Sequence, residues 1–344
     1  MIRAPTGLRW SCHSCGACCT GHDLGPVAPE VVAGLERADI RAAWAPAADG
    51  FVDARPDGAY LRQRDGACVF LEPDRRCAVH RLLGEQAKPA FCREFPYHLI
   101  DDPLGTVAVV RATCAGFWRS YRDGEIQSAD ALAAVAAVPA TAPRARFAPA
   151  SVPVAPGVSV DLSTWMRWED ATLRAAMPDD DPRDAIARIR RGWTGDLPAP
   201  RPAQYDAAFD ALTFALSKVL DAVLAQPGGA PHQVAFVEGC ADALALARQH
   251  PPAPLDADAR AWLDLLLRSA LLAKSWAAWG GVAEGLGVWL LGVEVARRRP
   301  TDAALTAEDL APAIARWDRF VAIGVIGHWL RKARVAAVDL TLHA

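Results

Sequence analysis

Eight of the nine cysteines in this 344-residue chain lie between Cys12 and Cys114, and the remaining 230 residues hold Cys240 alone. Thiols gathered this densely must be disulfides, metal ligands or reactive groups, and the redox compartment decides which. The opening residues, MIRAPTGLRW, lack the apolar run of a secretion signal. The expected location is therefore the cytoplasm, where thiols stay reduced. In that setting a cysteine group reads as metal-binding or catalytic before it reads as a disulfide framework.

Composition narrows the partners. With 52% apolar residues the chain is not disordered, and its length suggests two domains with a sizeable core. A formal charge of −3 argues against nucleic acid as a partner, and residues 1–125 are themselves balanced at 15 basic against 16 acidic side chains. The most apolar stretches, near Leu286–Val293 and Phe320–Leu330, fall short of the ~20 residues a bilayer requires, so a membrane is not an expected partner either.

Along the chain the pattern is α+β: a small, turn-rich cysteine module with short hairpins, then an all-helical domain. In residues 1–125, Phe51–Val52, Tyr60–Leu61, Cys68–Leu71 and Val107–Val110 are strand-like runs separated by Pro56-Asp57-Gly58, Asp65-Gly66 and Pro73-Asp74. Such a segment is expected to bury little core unaided, with metal ligation supplying the missing cross-links. Residues 126–160 read as an Ala-rich helix capped by Ser128 and a linker, or a strap across the surface, carrying Pro139, Pro143, Pro149, Pro153 and Pro156. From 161 to 344 helical stripes follow: Tyr205 to Val223, Val234 to Ala245, Trp262 to Trp279, one ending at Arg297-Arg298-Arg299, and a last one starting at Thr306 with Asp309 as its capping partner.

Residues 12–19 read Cys-His-Ser-Cys-Gly-Ala-Cys-Cys, the pattern C-x2-C-x2-C-C. Two-residue gaps let thiolates on one tight loop converge, and Gly16 permits the positive φ such a curl uses. The first three cysteines have the spacing of a ferredoxin-type cubane, whose fourth thiolate comes from elsewhere. A zinc site more often shows two separated pairs. Cys18 and Cys19 are neighbours, which suits two thiols facing different sites. Cys68 and Cys77 flank an expected hairpin turn that brings both sulfurs to one end. Eight thiolates could form two four-thiolate sites, one cluster plus one zinc, or one cluster with free thiols.

Together, C-x2-C-x2-C-C, Cys68-Val-Phe-Leu, Cys77 nine residues on, and Lys88-Pro89 leading to Cys92-Arg93-Glu94-Phe95-Pro96-Tyr97 resemble the YkgJ-type cysteine-cluster family. That family is described as zinc- or iron-chelating and is related to flagellin lysine N-methylases. The resemblance spans roughly residues 10–120. It implies that Cys12, Cys15, Cys18, Cys19, Cys68, Cys77, Cys92 and Cys114 are metal ligands. The sequence departs from the family at Lys88, where Arg is usual, and at His80, where an aromatic is frequent; neither touches a thiol. The resemblance also implies, as an alternative, S-adenosylmethionine-dependent methyl transfer to protein lysines. No glycine-rich loop follows a strand and no C-x3-C-x2-C is present, since the position needed after Cys15 and Cys19 is His22.

The expected cofactor is a [4Fe–4S] cluster, with zinc as the alternative and S-adenosylmethionine only for a methylase. Arg93, immediately after a thiol, is a candidate to offset cluster charge; Arg75 and Arg76 read as solvated. His13, His22, His80 and His98 lie near the cysteines, with His80 the best placed to ligate, but beside eight thiols each reads as an ordinary loop histidine. Cys240 and the tryptophans Trp276, Trp279 and Trp289 sit at helical spacing and read as core. Gly280, Gly281, Gly285 and Gly287 read as close helix contacts. No residue is assigned as catalytic, and the helical half is expected to bind a protein partner or substrate.

Overall fold

The computed structural model describes residues 1–20, 23–138, 144–174, 179–194, 201–228 and 231–344. His22, Pro139, Pro143 and Gly229 lie outside them.

The turn-rich part forms three hairpins. Val52–Arg55 pairs with Gly58–Leu61 across Pro56-Asp57, and Gln63–Arg64 pairs with Ala67–Cys68. Asp65 and Gly66, between the second pair, both take positive φ (50° and 75°), as a two-residue hairpin turn demands. The third hairpin joins Tyr97–Asp102 to Gly105–Val110. Ile2–Arg3 and Ala145–Arg146 flank this hairpin as parallel strands, completing a four-stranded sheet. The strand Tyr97–Asp102 is not foreseen by the sequence reading, because Asp101-Asp102 look like loop residues. Asp102 is buried because two cations meet it there.

The module does have a core of its own, contrary to expectation. Leu35, Ile40, Phe51, Val69, Phe70 and Val79 are buried together, with the Phe51 and Phe70 rings 5.6 Å apart. Short helices at Pro29–Arg37 and Ile40–Ala43 supply the lid that the strand pattern alone did not suggest. A second core crosses from the sheet into the helical part, where Leu8, Tyr97, Val110 and Phe117 pack with Trp262, Leu266, Leu310 and Ile314.

The stretch expected to be a plain linker holds a hairpin, Ser151–Ala155 with Val158–Asp161. Val152 and Val154 point into the main helical core while Pro153 faces out, so a period-2 alternation lies beneath the prolines. Ser128 caps its helix by accepting a hydrogen bond from Ala131 N, as anticipated.

In the helical half, Pro202–Leu224, Pro231–Ala247 and Val282–Arg297 follow the expected stripes. The Trp262 to Trp279 stripe is not one helix. The helix Ala257–Leu272 stops, Lys274 adopts a left-handed φ of 52°, and a 3-10 turn covers Ser275–Trp279. The break aims the Lys274 ammonium at Asp102 Oδ2 (2.8 Å) and Glu169 Oε2 (3.1 Å), all three side chains wholly buried. Arg3 joins the same pair of carboxylates. Satisfying buried charge outweighs continuing one helix. The Thr306–Asp309 capping box is present, but the last stripe divides into Ala307–Val321, Gly324–Lys332 and Arg334–His343.

Buried Trp165, Trp262 and Trp276 anchor these cores, with Trp276 set edge-on to Trp165 at 4.8 Å. The glycines of 285–292 serve close approach: a Cβ at Gly287 would lie 1.8 Å from the Ala337 carbonyl oxygen. That obstacle is backbone of the C-terminal helix and cannot swing aside. Gly287→Ala should therefore cost about 2 kcal/mol or more by overpacking. Urea unfolding would show this as a lower midpoint at unchanged slope, and an unmoved midpoint would mean the two helices separate freely.

Candidate metal centre

The cysteine loop curls as the spacing suggested. Ser14 and Gly16 take φ of 51° and 71°, and a 3-10 turn runs over Ala17–Cys19, closed by Cys19 N donating to Gly16 O at 3.0 Å. This tight turn folds two adjacent side chains together, leaving the Cys18 and Cys19 sulfurs 3.8 Å apart. A bridge between Thr20 and Ala67 lays the end of the loop against the strand that carries Cys68. Leu71 and Cys77 bridge across the next turn, and Cys77 is near enough to Cys68 to raise its thiol. Cys92 enters from the short helix Ala90–Glu94.

The thiols act on one another. Cys19 is pushed up by its hydrogen bond to Cys18 and by burial, with Cys18, Cys68 and Cys92 adding to the effect. Cys18 moves the opposite way, because Cys19 donates to its thiolate and Lys88 and Arg319 stand near. Burial pushes Cys68 up to about 12, with Cys77 and Cys18 contributing. Burial also raises Cys92, with Cys68, Cys77 and Cys18 adding and Lys88 opposing. Cys18, Cys19, Cys68, Cys77 and Cys92 thus lie within electrostatic reach of one another, although they come from the loop, the turn and the short helix.

A second group adjoins it. Cys114 is pushed up to about 12 by burial, and the Trp10 indole, lacking any oxygen or nitrogen acceptor, faces its sulfur and opposes that rise. Cys15 and Cys18 raise Cys114 further. A Cβ at Gly116, two residues beyond Cys114, would sit 3.6 Å from the Cys15 sulfur. Cys12 stands exposed at the mouth of the loop, and the described contacts show no sulfur beside it. Among the described residues no three His, Cys, Asp or Glu side chains already converge as a cage for an ion. The donor set nevertheless fits a thiolate-bound metal: soft ligands, mutually coupled, partly buried, with cations at the edge.

Two cations beside the thiols, Lys88 and Arg319, add to those singled out from the sequence. Arg93 donates to Gln86 Oε1 at 2.7 Å. Arg75 lies over the loop and donates to the Cys15 carbonyl at 3.3 Å. Lys88 and, from the far end of the chain, Arg319 are the residues that act on Cys18. Arg319 donates to the carbonyl oxygens of Ala17 (2.8 Å) and Thr20 (3.3 Å), gripping the turn that presents Cys18 and Cys19. Its neighbour Asp318, raised by burial, is partly relieved by Arg111 and accepts from the Thr113 backbone N–H beside Cys114. Sequence reasoning missed this pair because an Asp-Arg step on an amphipathic helix looks like a solvated face. The signal available was only its place one step before buried Phe320.

The described histidines differ in their surroundings. His80 is exposed on the helix Ala78–Leu83, and His98 is lowered to about 4 by burial with Arg111 against it. His13 Nε2 is buried without a partner, its Cβ about the turn at Gly116. Cys240 is buried in the helical core, its thiol pushed up to about 12 by that burial.

Comparison with known proteins returns one family match: residues 11–115 fit the CxxCxxCC family, described as "Putative zinc- or iron-chelating domain". Neither the curated proteins nor the solved structures contain a match. The matched stretch is 105 of 344 residues and takes in all eight clustered cysteines. The cysteine-bearing residues 11–115 are thus similar to a zinc- or iron-chelating domain, and the match does not reach the helical half.

Proposed function

We propose that the chain is a metal–thiolate protein holding two adjacent centres. What carries this reading is that thiols from separate chain segments lie near enough to shift one another, in two sets that share Cys18. In this reading Cys12, Cys15 and Cys18, with Cys114 as the distant fourth thiol, hold an iron–sulfur cluster. Cys19, Cys68, Cys77 and Cys92 form a second four-thiol site suited to zinc. The C-x2-C-x2-C run supports the first assignment, since it supplies three thiolates of a cubane and leaves one to come from elsewhere. The vicinal pair then faces both ways. A cluster bound there would supply one-electron chemistry, whereas zinc would serve as a cross-link.

A second reading rests on one distance. The 3.8 Å between Cys18 and Cys19 sulfurs matches the edge of a tetrahedron of thiolates around one ion, given metal–sulfur bonds of about 2.3 Å. A single zinc or iron would then take both. The helical half supports either reading as a frame, with Arg319 and Lys88 as the charges facing the thiolates, and it is proposed to receive the partner or substrate. Nothing among the described residues supports S-adenosylmethionine-dependent methyl transfer, and it is not carried further.

Three outcomes are expected. Protein purified without oxygen should be brown and contain iron and acid-labile sulfide in equal amounts together with zinc; colourless protein with zinc alone would establish the single-ion reading, and metal-free protein would sink both. Cys114→Ser should lose the iron and keep the zinc, Cys92→Ser should lose the zinc first, and Cys240→Ser should keep both. Arg319→Ala should speed loss of metal to a chelator by roughly tenfold or more, as removal of outer partners of metal ligands does. Arg319→Lys, which keeps the charge but not the two-carbonyl grip, should fall between, and equal rates in all three proteins would show that the grip is irrelevant to the centre.

A further inference from the structure

A cleft of about 510 Å³ lies in the helical half, walled by the helices Pro231–Ala247, Val282–Arg297 and Ala307–Val321. Its size is that of a small-molecule site. The wall is mostly apolar, with Leu244, Val295, Trp317 and Phe320 among its residues, and Arg298, Arg299 and Arg316 also line it.

The three arginines differ in how they are satisfied. Arg298 is fully engaged: Nε donates to Glu294 at 3.3 Å, Nη2 reaches Asp206 at 3.5 Å, and the group lies over the Phe209 ring at 3.9 Å. Arg299 and Arg316 meet only carbonyl oxygens. Arg299 donates to Ala296 O (2.8 Å) and Asp309 O (2.7 Å), and Arg316 donates to Gly239 O (3.1 Å). Among the described residues neither has a carboxylate within ion-pair distance. The Asp309 carboxylate is used by Thr306 N and Oγ1 in the capping box, and Asp242 is the other acid on the wall. Burial lowers the Arg299 pKa, Asp309 opposes that shift, and Arg316 adds to it. Arg299 is half-buried and Arg316 exposed, and two neighbouring like charges beside apolar surface, each with N–H groups to spare, suit an anion.

We propose that this cleft binds a small organic anion, a carboxylate or phosphate head on an apolar body, with Arg299 and Arg316 holding the head and the Trp317–Phe320 wall holding the body. The site is separate from the cysteine loop, although the helix Ala307–Val321 that lines it also carries Arg319.

Calorimetric titration of the full chain with octanoate, octyl phosphate, octanol and octylamine tests this. One anion should bind per chain, at least tenfold more tightly than octanol, with octylamine not binding; the better of the two anions identifies the head group. Charge-assisted hydrogen bonds of this kind are worth about tenfold or more in affinity, so Arg316→Gln and Arg299→Gln should each weaken the anion by that factor. Arg299 also ties down a helix carbonyl, so Arg316→Gln, whose side chain is exposed, is the cleaner variant. Ala243→Trp, which fills the cleft from its wall, should abolish binding at an unchanged unfolding midpoint. Octanol binding as tightly as the anions, unchanged affinity in Arg316→Gln, or no heat from either anion up to millimolar concentration would each overturn the proposal.

Discussion

One guanidinium holding two carbonyl oxygens ties the cysteine loop to the rest of the molecule. Arg319 spans 299 and 302 residues of sequence to reach Thr20 and Ala17, and both oxygens belong to the turn that presents Cys18 and Cys19. A tight turn of this sort has few contacts of its own, since none of Ala17, Cys18 and Cys19 is fully buried. Its shape is set from outside, by a helix whose own position is fixed by Leu310, Ile314 and Phe320 in two different cores. Asp318 extends the same control to the segment before Cys114. Precision at the sulfurs is thus inherited from hydrophobic packing in the helical half, carried across by two charged side chains.

The buried ionic groups follow one pattern. Lys274 with Asp102, Glu169 and Arg3 joins the sheet to the helices, and Glu294 with Arg183 and Arg298 joins helices to one another. Glu294 has no exposed surface, and its two oxygens are bonded by Arg183 at 3.1 and 2.8 Å. Such groups add little net stability compared with apolar packing, but they penalise any arrangement in which a partner is absent. They specify which surfaces meet.

Much of the architecture was legible in the sequence because it rests on local rules. The Asp65-Gly66 turn, the Ser128 cap, the Thr306–Asp309 box and the curl at Gly16 each depend on residues within a few positions of one another. What escaped notice depends on distant partners. The end of the helix at Leu272 follows from carboxylates at 102 and 169, and the strand Tyr97–Asp102 needs those same cations to bury its last residue. The hairpin at Ser151–Ala155 was hidden because prolines were read as linker chemistry when one of them faces outward from a strand. At the metal module the cysteine spacing points to the donors, and Lys88 lies within the same motif, but Arg319 could not be read locally. Arg93 is adjacent in sequence and turns to Gln86, while Arg319 is remote in sequence and adjacent in space.

The raised thiols have a chemical consequence for how the module meets reagents. A thiol held at a pKa near 12 is almost entirely protonated at neutral pH and is a poor nucleophile. Cys68 and Cys114 are in this condition and Cys92 is pushed the same way, whereas Cys12 and Cys15 are exposed and Cys18 is shifted toward the thiolate. In the metal-free module the loop is therefore the edge more open to electrophiles, and the burial that covers the deeper sulfurs also disfavours their thiolates.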